Sequence, residues 1–168
     1  MWLAKAAKFL NKLNRPIVNW LKNIAMIILA AMMFLTATDV ILRYIFNRPV
    51  TGAYELIEFM MAVLISFGLG YCAIEAGHVS VDLVVSHLSK RRQAIIATIT
   101  SLLSATLFLL ITWQNVLFIK ENFESKLESA VLLIPVYPFI GAVAIGSAAL
   151  FLVLIMDIFN YLSEVVAE

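Results

Sequence analysis

The run Asp39-Val-Ile-Leu-Arg43-Tyr44-Ile-Phe-Asn47-Arg48-Pro49, with Glu55 and Glu58 just beyond it, gathers charges of both signs at the edge of a long apolar stretch. Ionised side chains are costly in hydrocarbon, so such a cluster belongs near a membrane interface, paired internally or with another protein. Asp39 and Arg43 are four residues apart, on one face of a helix that has not yet ended. The acid offsets the arginine, whose long stem carries its charge toward the headgroups. Asn47-Arg48-Pro49 reads as the stop, because Pro49 cannot continue an interior hydrogen-bond ladder and biases Arg48 away from the α region. Gly52 lets the chain bend back, and the next helix starts with Glu55 and Glu58 near the positive end of its dipole. The stretch therefore predicts a short, charged hairpin between two spanning helices. Its charges either fix the helix ends at the interface or also contact a partner subunit.

Composition points the same way. The chain has 168 residues, of which 63% are hydrophobic and 14% charged, with mean hydropathy +0.99. A soluble protein of this size has too high a surface-to-volume ratio to bury so much apolar side chain. The expected class is an all-α integral membrane protein with one membrane domain over residues 1–168. Lys5, Lys8, Lys12, Arg15 and Lys22 give the first 22 residues five positive charges and no acid. A spanning run follows at once, so this is a basic cytoplasmic flank and not a nucleic-acid-binding arm. Its length, and that of the apolar run behind it, also differ from a cleaved secretory signal.

Trp2, Ala6, Phe9 and Leu13 recur at helical intervals beside the lysines, which predicts a short amphipathic surface helix over 1–15, or else a frayed basic arm, separated by Pro16 from the first span. Four spans are expected at 20–44, 56–74, 94–119 and 135–156, near or above the roughly 20 residues a bilayer requires. Lys90-Arg91-Arg92 marks a cytoplasmic connection after two crossings, in agreement with the basic N-terminus, and four crossings put both termini in the cytoplasm. Lys120 to Glu128 then forms an outer connection of mixed charge, and Pro135 and Pro138 shape the approach to the last helix. Gly68, Gly70 and the Ala142/Gly146 pair offer small faces for helix packing. The hydroxyls of Thr98, Thr100, Ser101, Ser104 and Thr106 can bond to their own helix and do not define an ion path. Cys72, alone in an apolar run, reads as a packed thiol.

Gly77-His78-Val-Ser80-Val-Asp82 is the remaining polar motif. His78 and Asp82 supply two possible ligands, one short of a site, so local hydrogen bonding or a subunit contact is expected there and no bound metal or cofactor.

Taken together, the Asp39 to Pro49 run, the Glu55/Glu58 start and the Gly77 to Asp82 loop resemble the small membrane subunit of tripartite ATP-independent periplasmic transporters, the DctQ-like family. Leu133-Ile-Pro135 before the fourth span is similar to a further family feature. On that resemblance Asp39, Arg43, Tyr44, Asn47, Arg48 and Pro49 match the signature at the end of the first span, Glu55 the acidic start of the second, and Gly77, His78 and Asp82 the cytoplasmic signature that follows. Ile74-Glu75 stands where the family often has an arginine. The resemblance implies a non-catalytic, multi-pass subunit in a bacterial inner membrane, bound to a large permease that carries sodium and substrate. An extracytoplasmic solute-binding protein would deliver an organic acid such as sialic acid or a C4-dicarboxylate. Membrane lipid is the other expected partner. An autonomous small transporter or channel is the alternative, although no ionised residue sits in the middle of a span to line its path. A membrane enzyme is a weaker alternative still, because no nucleophile accompanies His78 and Asp82.

Overall fold

The computed structural model describes residues 2–75 and 90–167. Four helices make up nearly all of it: α1 (Trp2–Ile45), α2 (Ala53–Ile74), α3 (Lys90–Ser125) and α4 (Tyr137–Ala167). Each contains a stretch long and apolar enough to cross a bilayer, Asn14–Ile45, Ala53–Ile74, Ile95–Ser125 and Tyr137–Leu162. The expected all-α, four-span architecture is what the chain adopts.

Two boundaries differ from expectation for physical reasons. Helix α1 does not break at Pro16 but runs through it without interruption. Proline removes one backbone donor, yet the residues on either side are fastened to α4. The Asn14 side chain, 2% exposed, donates to the Leu152 carbonyl at 3.1 Å, and Val18 is 1% exposed in the core. Packing on both sides of the proline thus holds the helical register that its sequence alone does not favour. Likewise α3 extends to Ser125, so most of the expected outer connection is the last turns of a helix, and the connection proper is 126–136. Pro138 lies in the first turn of α4, where the missing N–H is tolerated, and Pro135 precedes the helix.

Helix α4 is the centre of the bundle and packs on each of the other three, whereas the extensive contact of α3 is with α4. Its buried residues Ala149, Leu150, Val153, Leu154 and Met156 form a broad apolar face. Val18 of α1, Ala73 of α2 and Ala105 of α3 meet that face in one cluster, and Leu21, Ala25, Val63 and Phe67 meet it in a second. Phe59 of α2 and Phe139 of α4 stack with ring centroids 4.4 Å apart. Several hydroxyls inside the spans bond to their own helices: Thr100 donates to the Ile96 carbonyl and Thr106 to that of Leu102. Cys72 is exposed, not packed, since it lies on the side of α2 turned away from its buried neighbour Ala73.

Helices α2 and α4 approach closely at a glycine. A Cβ built on Gly146 would fall 2.5 Å from the Ser66 carbonyl oxygen, whereas one on Gly68 would meet nothing within 4 Å. Small-residue contacts of this kind let membrane helices gain van der Waals packing. Gly146→Ala should therefore destabilise the protein in detergent by about 1–3 kcal/mol, the usual cost of overpacking, while Gly68→Ala leaves it unchanged. Denaturation of the two variants in the same micelle checks the difference.

Candidate functional site

The sequence motif at the end of α1 folds into one half of a two-carboxylate clasp. Arg43 Nη2 donates to Asp39 Oδ2 at 2.8 Å within the helix, and the backbone N–H of Val50 donates to Asp39 Oδ1 at 2.8 Å. Asp39 therefore ties the returning chain to the helix it has just left. Its side chain is largely covered while that of Arg43 is 57% exposed, so the guanidinium is directed outward. Between them Asn47 adopts a left-handed conformation at φ 51°, and the Leu42 carbonyl accepts from both Phe46 and Arg48 N–H at 3.1 Å. Asparagine tolerates that backbone region better than most residues, which explains its place at the turn. Tyr44, Arg48, Pro49 and Glu58 are exposed.

Glu55, in the first turn of α2, forms the other half. Its Oε1 accepts the Val131 N–H at 2.8 Å and its Oε2 the Leu132 N–H at 3.0 Å. The Ala130 N–H and the Ser129 hydroxyl also face this carboxylate. Consecutive backbone N–H groups curled around one anion form a nest, here filled by the chain's own acid. The receiving loop is itself braced. Glu128 and Pro135 face each other as an antiparallel bridge, Ser129 N–H donates to the Ile134 carbonyl at 2.9 Å, and Val136 N–H donates to that of Leu127 at 3.2 Å. Leu133 at φ 53° makes the tight reversal. Pro135, with no N–H of its own, ends this small hairpin before α4 begins.

Leu132 completes the clasp. Gly52 has φ 77°, and a Cβ there would collide with the Leu132 side chain. The α1–α2 turn and the α3–α4 loop are thus locked by a carboxylate and by a leucine seated on a glycine. The opposite end is held differently: Lys22 of α1 lies over the Tyr71 ring of α2 at 4.4 Å from its centroid.

Of the residues singled out from sequence, the structure brings Asp39, Arg43, Asn47 and Pro49 into one turn and carries Glu55 and Pro135 to the adjoining loop. Gly77, His78 and Asp82 lie outside the described residues. Sequence reading missed Asn14, Gly52 with Leu132, and Lys22 with Tyr71. Asn14 is one of four asparagines between residues 11 and 23, and nothing in the residue types singles it out as the one that bonds to α4. The N–H groups that receive Glu55 leave no mark in the residue types of 130–132.

The fold and the clasp define a multi-pass membrane protein of four long apolar helices whose two acids fasten its own connections. A family model described as "Tripartite ATP-independent periplasmic transporters, DctQ component" matches residues 32–164, which include both halves of the clasp. The chain belongs to that family and is the small membrane component of a tripartite ATP-independent periplasmic transporter. No curated protein matches it.

The steric half of the clasp can be tested by a double-mutant cycle. Gly52→Ala should destabilise through both its left-handed backbone and the collision with Leu132. Adding Leu132→Ala removes the collision, so the double variant should lose less than the sum of the two singles; additive losses would mean that these residues do not touch.

Proposed function

We propose that this chain is the stationary, non-catalytic scaffold of a sodium-coupled importer of an organic acid, such as sialic acid or a C4-dicarboxylate. The family to which it belongs works with a large permease and a periplasmic binding protein. On this reading the permease carries sodium and substrate, the binding protein delivers the substrate, and the small subunit stands in a bacterial inner membrane with both termini in the cytoplasm.

The observation that carries the proposal is the commitment of Asp39 and Glu55. Carboxylates that coordinate a transported cation must offer their oxygens to it, whereas these oxygens are engaged by Arg43 and by the backbone N–H groups of Val50, Val131 and Leu132. The same bonds hold the two connections at one end of the bundle as a single braced unit. A subunit so braced suits a support against which a moving permease domain changes access, because alternating access needs one part held still.

Proteoliposomes holding this chain, the permease and the binding protein should take up the organic acid when a sodium gradient is imposed. Uptake should be lost when this chain is omitted and should be absent from vesicles holding it alone. Selective uptake by this chain alone would overturn the scaffold reading.

A further inference from the structure

Among the described residues α3 is covered extensively by α4 alone, and much of its surface along the span is exposed. On that surface Leu103, Leu107, Leu110, Gln114 and Leu117 recur at alternating steps of four and three, and all are exposed. This is the spacing of the seam along which two helices wrap with a left-handed crossing. An exposed helix has more than one such row, and a row of leucines gains little over lipid by itself. The adjoining row through Leu102, Thr106 and Leu109 makes no further demand, because the Thr106 hydroxyl already donates to the Leu102 carbonyl at 2.9 Å.

Gln114 distinguishes the first row. Its carboxamide carries two donors and an acceptor, is exposed, and takes no hydrogen bond among the described residues. It lies in the apolar run that ends at Lys120, about 9 Å short of that end at 1.5 Å per residue. An amide at that depth calls for a partner across the helix pair. The same row then continues into Glu121 and Glu124, both exposed and both in the last turns of α3. A second copy of this chain, in the same orientation, would set each glutamate against its own counterpart, and like charges so paired repel. The row therefore fits a helix of a different chain.

We propose that the row through Gln114 is the docking seam for one transmembrane helix of the permease subunit. That helix carries a hydrogen-bonding side chain at the level of Gln114 and a basic residue facing Glu121 and Glu124. The assignment rests on the scaffold reading and names the surface by which it is exercised.

The test uses the full chain co-expressed with the permease in membranes, with a photoreactive residue at Leu110 in one variant and at Leu109, about a quarter turn away, in the other. Cross-linking to the permease is expected from position 110 and not from 109. In the background of Gln114→Leu the association should weaken by roughly three- to twentyfold, the range one interhelical hydrogen bond supplies in a membrane. Glu121→Lys with Glu124→Lys should weaken it as well, while Thr106→Val has no effect. Cross-links to a second copy of this chain, cross-links from 109 alone, or a complex indifferent to Gln114→Leu would each overturn the seam while leaving the scaffold reading intact. A permease that does not co-purify with the unaltered chain would strike the scaffold reading itself.

Discussion

Backbone N–H groups where helices meet near hydrocarbon have little water to bond to and must be satisfied by the protein. In this chain two carboxylates meet that demand. Asp39 caps the return from α1 through the Val50 N–H, and Glu55 fills the nest at Val131 and Leu132. Each acid is itself a cost in that setting, and each is offset by the donors it gathers. The result is a mutual arrangement in which removing either side leaves the other unsatisfied. The turn, the hairpin of the 126–136 loop, and the seating of Leu132 on Gly52 all follow from it.

With one end clasped, the bundle distributes its contacts unequally. Helix α4 is surrounded and carries the core at Leu150 and Val153, while α1 and α3 leave large apolar side chains such as Phe34 and Leu103 exposed. In water such surfaces would drive aggregation; for a membrane component they are the faces offered to lipid and to neighbouring subunits. In the proposed arrangement the small subunit contributes shape and fixity, and the chemistry of coupling resides in its partner.

Much of the fold was legible because membrane helices announce themselves by uninterrupted apolar length. The four-span frame and the Asp39–Arg43 pair both follow from spacing along a single helix. What stayed hidden depended on contacts between distant segments. Pro16 looks like a breaker until Asn14 and Val18 are seen packed on α4. Glu55 reads as an ordinary acid in the first turn of a helix, and only the fold carries it to a loop 76 residues away. Its receptor is backbone, which any residue types could provide. Cys72 illustrates the limit in the other direction, since an apolar run shows that a helix spans but not which of its sides is covered.

The central claim is that Asp39 and Glu55 are structural acceptors for backbone N–H groups of the two neighbouring connections. Amide hydrogen exchange at Val50, Val131 and Leu132, measured on the protein in lipid nanodiscs, tests it most directly. The account predicts slow exchange at all three amides in the unaltered chain. Exchange should be accelerated at Val50 alone in Asp39→Ala, and at Val131 and Leu132 in Glu55→Ala. Rapid exchange at these amides in the unaltered chain, or protection that survives both substitutions, would contradict it.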